Sequence, residues 1–457
     1  MNLPSGPKTS QWLQQVQWVT DPIGYMETAQ KCYGDIFTTS VIIPKPVVLI
    51  SNPQALKQVL NDTKYFTAPG ELSEAILPLF GNSSVLILNG EKHMRQRRLL
   101  MPPFHGARMQ AYGQLICNIA EQAMKQQVTG KTFSIRSVMQ DISLQVIIEA
   151  VFGLHDKERG ERFRQVILSL FSDFRAPLAA IALVFPSMQQ DLGWWSPWRQ
   201  FRRVRQKIDE LLYAEINERR QHPDPERKDI LSLLISARDE DGQAMTDEEL
   251  CDQLTTLLFA GHDTTATAIA WAFYEIHKHP EIRDKLIQEL NSLDDSQDAM
   301  SIFRLPYLTA VCNETLRMYP VNMLTTGRMV KSPVNLMGYE LNPGTVLFGS
   351  IYLTHHREDI YPDPKQFKPE RFLEKQFSPH EFLPFGSGTR RCIGEALAQM
   401  EMKLVLATVL SRYHLVLANE QPEQPQRRGI TLAPGNGVKM VIQSERCQEQ
   451  LLATTVR

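Results

Sequence analysis

The segment 385–394 constrains this chain more than any other, because it holds a cysteine between a glycine-rich turn and a helix. It reads Phe-Gly-Ser-Gly-Thr-Arg-Arg-Cys-Ile-Gly, and a long helical pattern follows it. Gly386 and Gly388 permit turn conformations that are closed to residues with a Cβ atom, and Gly394 permits close approach of a flat ligand. The start of the following helix favours the thiolate form of Cys392. The alternative is a buried free cysteine with no chemistry, which is the commoner fate of a single cysteine.

The segment resembles the haem-binding signature F-x-x-G-x-R-x-C-x-G of the cytochrome P450 family, and it matches every defined position. By this resemblance Cys392 is the proximal ligand of the iron of haem b, and Arg390 reaches a haem propionate. Phe385 and Gly394 are assigned to cofactor binding on the same ground. A thiolate ligand pushes electron density that favours O–O cleavage, so O2 is the implied co-substrate.

Charge and cysteine usage exclude several classes of protein. The net charge of -2 argues against a nucleic-acid binder, which usually carries a basic excess. The six cysteines are scattered without paired spacing, so we expect a reducing, cytoplasmic location instead of a disulfide framework. The first 18 residues contain neither a membrane-spanning apolar run nor a signal-peptide pattern, so no transmembrane anchor is expected.

Length alone would suggest roughly three domains. The chain shows no linker, repeat or charge block, so we predict one domain over 1–457 with short flexible ends at about 1–18 and 445–457. Helical periodicity predicts helices over Asn52–Leu60, Glu91–Leu100, Ser134–Phe152, Arg202–Arg220, Thr246–Lys278 and Leu308–Arg317. Short strand-like runs cluster at Ile36–Ile50 and Val334–Ser350. This mainly α pattern with small β-sheets fits the resembled fold, a helix-rich triangular prism around a buried haem.

The predicted helix Thr246–Lys278 carries an unusual polar stretch at its middle. Thr246 and Glu249 form a capping box at its start. Residues 260–265 read Ala-Gly-His-Asp-Thr-Thr, which is poor helix material and favours a local bend. Alone, the stretch is typical of a kinked core helix. It also matches the family pattern A-G-x-[DE]-T-[TS].

By that resemblance Thr264 hydrogen-bonds the bound dioxygen and Asp263 links it to solvent protons. Splitting O2 requires protons, so an acid beside an alcohol suits the chemistry. Ala260 and Gly261 are assigned to cofactor binding. The pattern does not assign His262, which we expect at the helix surface or in contact with water.

Two further motifs resemble family elements. Glu314 and Arg317 lie at i, i+3 on one helix, and Arg371 follows in a Pro-Glu-Arg-Phe segment. The resemblance implies a buried triad with a folding role. The alternative is a solvated surface pair.

Basic residues supply the remaining site predictions. His93 and Arg97 resemble a pair that clamps a haem propionate, and Arg328 resembles a further propionate arginine. For Arg95 and Arg98 we keep the reading of solvated surface residues, with a role in docking an acidic redox partner as the alternative.

The substrate is predicted to be lipophilic, because the candidate lining segments contain few charges. These candidates are 66–85, 171–185, Ala260, 321–325 and 431–432, and the strongly apolar segment 178–186 is expected at the access lid or at a membrane surface, with core packing as the simplest reading. The overall pattern resembles soluble bacterial members of the long-chain fatty-acid hydroxylase branch. Terpenoids and polycyclic compounds fit the same lining.

The leading hypothesis is a monooxygenase that receives electrons from NAD(P)H through a separate ferredoxin or flavodoxin with its reductase. A second hypothesis is a peroxide-driven hydroxylase or an isomerase on the same fold. A third is a non-catalytic haem-thiolate sensor. The acid–alcohol pair Asp263 and Thr264 argues against both of these alternatives.

Overall fold

The computed structural model describes residues 3–43, 45–72, 77–106, 108–153, 157–175, 196–224, 226–293, 298–428 and 431–446. Contacts divide the chain into two compact units. The first unit comprises 1–68, 120–139 and 264–457, and the second comprises 69–119 and 140–263. One domain over the whole chain stays a prediction beside this division. The apolar segment 178–186 lies outside the described residues.

Helices form most of the described structure, as the sequence predicts. In chain order they are α1 (Gln11–Thr20), α2 (Pro22–Tyr33), α3 (Pro53–Asn61), α4 (Leu77–Phe80), α5 (Gly90–Leu100), α6 (Arg108–Lys125), α7 (Ile135–Phe152), α8 (Lys157–Arg175), α9 (Pro197–Gln221), α10 (Ile230–Ser236), α11 (Asp247–Lys278), α12 (Pro280–Asn291), α13 (Ala299–Phe303), α14 (Pro306–Met318), α15 (Ile351–His355), α16 (Arg371–Glu374) and α17 (Glu395–Arg412). All six helices predicted from periodicity are present, so these predictions are confirmed.

The strands are short and, among the described residues, all belong to the first unit. They are β1 (Ile36–Thr39), β2 (Val47–Ile50), β3 (Phe66–Thr67), β4 (Thr132–Ser134), β5 (Arg328–Val330), β6 (Val334–Leu336), β7 (Tyr339–Leu341), β8 (Val346–Gly349), β9 (Tyr413–Leu417), β10 (Pro425–Arg428), β11 (Thr431–Pro434) and β12 (Lys439–Glu445). The largest sheet has the order β1-β2-β8-β5-β3, in which β2 and β8 pair in parallel. A three-stranded sheet, β4-β12-β9, and two hairpins complete the set.

Helix starts follow local capping chemistry. Asn52 caps α3 by accepting hydrogen bonds from the backbone N–H groups of Gln54 and Ala55, and Pro53 occupies the first helical position. Thr246 and Glu249 bond reciprocally at the start of α11, at 2.9 and 3.1 Å. The predicted capping box is therefore confirmed.

The first unit is built around a buried apolar layer of the large sheet. Val48, Ile50 and Leu347 are fully buried and pack with Leu56 of α3. Residues 11–18 of α1 fall in the segment 1–18 that is predicted to be flexible, and Gln14 and Trp18 are buried there. The phenol of Tyr25 donates to Gln14, which explains why a glutamine side chain is buried there. Within the described part of the chain, none of the helices has the length and apolarity needed to cross a membrane.

Candidate active site

Cys392 lies at the end of a tight loop that presents its side chain outward. The loop closes through a hydrogen bond from the backbone N–H of Cys392 to the carbonyl of Phe385, at 3.0 Å. Gly386 and Gly388 both have φ of +70°, as the sequence predicts. The side chain of Cys392 is exposed, and α17 begins three residues later at Glu395. The thiol therefore stands beside the positive end of a helix, which favours thiolate.

Gly388 and Gly394 of this loop differ in what surrounds them. A Cβ atom on Gly388 would stand 2.1 Å from the carbonyl oxygen of Leu60, so protein packing excludes any side chain. Gly394 has φ of −83°, and a Cβ atom there would meet nothing within 4 Å. Neither backbone strain nor a protein neighbour therefore requires glycine at position 394. Open space beside the cysteine fits a large flat group such as haem.

Two arginines of the first unit form a positively charged environment near this loop. Arg328 is only 2% exposed, and its Nη1 donates to the carbonyl and hydroxyl oxygens of Thr326 at 3.0 and 2.9 Å. Burial, reinforced by the charge of Arg390, lowers the pKa of Arg328 to about 10. Arg390 donates to the carbonyl of Ala68 at 2.8 Å. Among the described residues the guanidinium of Arg328 donates only to uncharged oxygens, so it fits an anionic ligand such as a propionate.

The middle of α11 presents a face that is more open than the rest of the helix. Leu257, Gly261 and Thr264 are half-buried and Ala260 is exposed, whereas most other positions from 250 to 277 are buried. These four residues follow the i, i+3, i+4, i+7 spacing of a single helix face. A Cβ atom on Gly261 would stand 3.0 Å from Cδ1 of Ile147 on α7. Close packing of α7 against α11 is therefore one reason for glycine at this position.

The polar residues beside this face differ in their surroundings. Asp263 is half-buried and accepts a hydrogen bond from Nε2 of Gln140, on α7, at 2.7 Å. His262 is 1% exposed, so the expectation of a helix-surface position was wrong, while the alternative of contact with water stays a prediction. It occupies the packed side of α11, which the motif does not specify. Sequence reasoning missed Gln140; its signal is a polar residue that interrupts the apolar pattern of α7.

Helix α5 carries His93 and Arg97 on one face, separated by one helical turn. His93 is 4% exposed and Arg97 is half-buried, so neither is an ordinary solvated residue. Arg95 is paired with Asp239 and, at 2.8 Å, with Glu249.

Arg98 pairs with Glu240 at the surface. The positive charges of Arg95 and Arg98 are thus each met by acids within the second unit, which weakens the idea that they dock an acidic partner.

Glu314, Arg317 and Arg371 meet in the buried interior of the first unit. Arg317 binds both oxygens of Glu314 in a bidentate pair, at 2.6 and 2.8 Å, and Arg371 binds Oε1 at 3.1 Å. The remaining donors of both guanidinium groups reach carbonyls of the segment 355–366. The structure therefore brings the three predicted residues together as a fully hydrogen-bonded cluster.

The site predictions divide between the two units. His93, Arg97, Ala260, Gly261 and Asp263 belong to the second unit. The first unit contains Thr264, Arg328, Phe385, Arg390, Cys392 and Gly394, together with the triad. Asp263 and Thr264 are consecutive residues of α11.

Comparisons with known proteins give a consistent result. The sequence model of the cytochrome P450 family matches residues 4–440. Cytochrome P450 135B1 of Mycobacterium tuberculosis is 35% identical over 447 residues, covering 98% of this chain and 92% of the relative. Cytochrome P450 138 of the same organism is 31% identical over 415 residues, covering 90% and 89%.

Solved structures show the same architecture. The retinoic-acid-bound cyanobacterial CYP120A1 is 26% identical with a TM-score of 0.83, covering 97% of this chain and 99% of that one. The haem domain of cytochrome P450DA is 21% identical with a TM-score of 0.85, and each chain is covered to 98%. The second likeness concerns the fold alone. The predicted fold class, mainly α with small sheets, is confirmed.

Proposed function

Because this chain belongs to the cytochrome P450 family of haem-thiolate monooxygenases, we propose that it inserts one atom of O2 into a lipophilic substrate, with fatty-acid hydroxylation favoured. The observation that carries this proposal is the exposed thiol of Cys392, held by two positive-φ glycines immediately before α17. When bound, haem b supplies the iron that activates O2, and thiolate ligation favours O–O cleavage. The residues of the chain position that group and handle protons.

Cys392 is proposed as the proximal ligand, because its side chain is accessible and the helix start favours thiolate. Arg328 and Arg390 are proposed to hold propionate oxygens, since a buried guanidinium gains most from a charged acceptor. We assign the same role to His93 and Arg97 on α5. Phe385, Ala260, Gly261 and Gly394 would border the cofactor; the open space at Gly394 supports this placement for that residue.

Asp263 and Thr264 are proposed to deliver protons on the distal side. Thr264 lies on the open face of α11, where its hydroxyl would hold and pass on a proton. Asp263 is the preceding residue of α11 and is half-buried, so water can reach its carboxylate. Glu314, Arg317 and Arg371 are proposed to act in folding only, because the carboxylate is fully buried and engaged by both arginines.

The substrate proposal is a long-chain fatty acid. The apolar composition of the candidate lining segments supports a lipophilic molecule. The cyanobacterial neighbour CYP120A1 binds retinoic acid, a lipophilic carboxylic acid, which supports an acid as substrate. Retinoic acid is also a terpenoid, so this likeness does not separate the two substrate classes. Terpenoids and polycyclic compounds are the alternative class. We further propose a cytoplasmic location and electron supply from NAD(P)H through a ferredoxin or flavodoxin with its reductase.

The test begins with haem-loaded protein that is reduced under CO. A red-shifted Soret band that is absent in Cys392→Ser and retained in Cys32→Ser would support the thiolate assignment, because Cys32 is another exposed free cysteine. A histidine-type band in the wild type would overturn it.

Titration with hexadecanoic and octadecanoic acids, their methyl esters and a monoterpene then tests the substrate class. A low- to high-spin change with the acids alone supports the fatty-acid proposal. A change with the monoterpene alone selects the alternative class. Normal CO binding without oxygenation of any substrate, although a competent reductase chain reduces the haem, would favour the sensor.

A further inference from the structure

The side chain of Gln140 reaches across from α7 to the acid of α11. Its Nε2 donates to Oδ1 of Asp263 at 2.7 Å, and Gln140 is only 9% exposed. A hydrogen bond of this length to a carboxylate is short for an amide donor and is typical of a charge-assisted contact. Both residues lie within the second unit. The contact is therefore a partly buried, directional restraint on Asp263.

The packing of the two helices sets the reach of this amide. Gln140 and Ile147 are seven residues apart and so share one face of α7. Ile147 occupies the space where a Gly261 side chain would stand, at 3.0 Å from the ideal Cβ position. The same face of α7 thus contacts α11 at Gly261 and at Asp263. The packing of α7 against α11 therefore sets the distance between Gln140 and the carboxylate of Asp263.

We infer that Gln140 is a positioning residue that orients the carboxylate of Asp263 for proton transfer. This inference rests on the proposed role of Asp263. An amide restrains the rotation of the carboxylate about its Cβ–Cγ bond but does not itself titrate. A lysine or arginine in its place would add a counter-charge that opposes protonation of the acid. Gln140 therefore orients Asp263 while leaving it able to take up and release a proton.

The test compares two glutamines of the same helix. Gln145 donates from Nε2 to Oε1 of Glu149 at 2.6 Å, one turn along α7, so Gln145→Leu removes an equivalent bond away from Asp263. With hexadecanoic acid and NADPH-driven reductase, Gln140→Leu should lower product formed per NADPH about tenfold, which is part of the roughly 10²- to 10⁴-fold that a positioned proton donor contributes. The missing electrons should appear as hydrogen peroxide, and the solvent deuterium isotope effect should rise. Gln145→Leu should match the wild type.

A double variant tests whether Gln140 acts through Asp263. If Gln140 acts through Asp263, then Gln140→Leu should add no further loss of coupling in an Asp263→Asn background. A full additional loss in that background would overturn the inference. Thermal unfolding and CO binding identify a variant that has not folded, and Gln140→Asn, which withdraws the amide by one methylene, then replaces the leucine variant.

Infrared spectra give a readout that needs neither haem nor substrate. In protein with 13C-labelled aspartate, the carboxylate band that disappears in Asp263→Asn should shift in Gln140→Leu and stay in place in Gln145→Leu. An unshifted band in Gln140→Leu would overturn the inference. A shifted band in that variant together with unchanged product per NADPH would also overturn it. If the wild type oxygenates no hexadecanoic acid, the proposed substrate fails, and the infrared comparison still decides whether Gln140 orients the carboxylate of Asp263.

Discussion

Arg328 and Gly394 show how single residues can indicate a ligand through their surroundings. Arg328 is buried, donates to uncharged oxygens and has its pKa lowered to about 10 by burial and by Arg390. Gly394 has an ordinary φ and an open Cβ position, so no protein contact accounts for the glycine. The buried guanidinium of Arg328 and the open space at Gly394 both fit a large, flat, anionic ligand. They are independent of the cysteine and agree with its proposed role.

Replacing Arg328 should weaken haem retention. We expect Arg328→Leu to release haem to an apoprotein acceptor roughly 10- to 100-fold faster, because a hydrogen bond to a charged group contributes about 1.5–3 kcal/mol. Arg391→Leu is the matched control, since Arg391 lies in the loop that holds Cys392 and pairs with Glu395 at the surface. Equal rates in the two variants would contradict a propionate role for Arg328.

Thr264→Ala should separate substrate oxygenation from electron consumption. The substitution removes the hydroxyl from the open face of α11 and leaves the helix packing intact. We expect haem and substrate binding to persist, while most electrons from NADPH appear as hydrogen peroxide. Thr267→Ala is the control, because Thr267 is fully buried on the same helix. Unchanged product per NADPH in Thr264→Ala would remove Thr264 from the mechanism.

Side-chain chemistry at these positions is only partly readable in the sequence. The glycines at 386 and 388 are predictable, because a positive φ follows from their place in a tight turn. Gln140 is not, because its partner lies 123 residues away and depends on how α7 meets α11. The helix-surface position predicted for His262 was wrong for the same reason, since the helix pattern does not say which neighbour covers that side of α11.

Secondary-structure elements follow the sequence more closely than single side chains do. The reciprocal bonds of Thr246 and Glu249 fix the start of α11 where the capping box predicts it. The box also has a tertiary role, because Oε1 of Glu249 accepts bonds from Arg95 and Gln96 of α5, at 2.8 and 2.6 Å. The second role joins residues about 150 positions apart, which no local pattern contains.

Thr246→Ala should lower the free energy of unfolding by about 1 kcal/mol, the usual cost of losing an N-cap side chain. Glu249→Ala should cost more, because it removes two tertiary acceptor contacts as well as the cap. Urea unfolding measures both. Ser378→Ala is the control, since Ser378 and Glu381 form the same reciprocal pair without a helix of several turns behind it. An equal loss of unfolding free energy in Glu249→Ala and Thr246→Ala would contradict the tertiary role of Glu249.

The triad links α14 to the segment before α16. Removing Arg317 leaves the carboxylate of Glu314 buried with one arginine, so Arg317→Met should cost roughly 3–5 kcal/mol of folding free energy. Lys285→Met is the control, because its bridge to Glu370 is exposed and should contribute at most about 1 kcal/mol. Denaturant unfolding of both variants provides the measurement. A loss in Arg317→Met as small as the control would show that the cluster is dispensable for folding.

Across the whole molecule, the pH dependence of stability should reflect histidines that fold in the neutral form. Burial lowers the pKa of His277 to about 4 and that of His356 to about 3, and it holds the pKa of His355 well below its usual range. The Nε2 of His355 accepts a hydrogen bond from the backbone N–H of Leu383, which an imidazolium cannot do. All three histidines belong to the first unit. Charge composition alone gives no indication of this behaviour, because it counts histidines without their burial.

The sign of the effect follows from the direction of these shifts. Below about pH 6.5 the unfolded chain binds protons that the folded state refuses, so stability is fully present above that pH and falls as the pH drops toward about 4. The raised pKa of His279, caused by its bond to Glu275, acts in the opposite direction, and that contribution is lost as pH rises through the folded pKa. Urea unfolding from about pH 7.5 to about pH 3 should therefore show a steep acid limb that begins near pH 6.5.

His356→Gln should reduce the slope of that limb by about one proton, since each buried neutral histidine contributes up to one proton to the difference between the states. His222→Gln should leave the slope unchanged, because His222 is exposed at the end of α9. Carboxylates with lowered pKa, such as Asp359 beside Arg357, lose their contribution only nearer their ordinary range, below about pH 4. A limb that begins there, with the same slope in all three proteins, would mean that carboxylates and not histidines govern the acid stability of this enzyme.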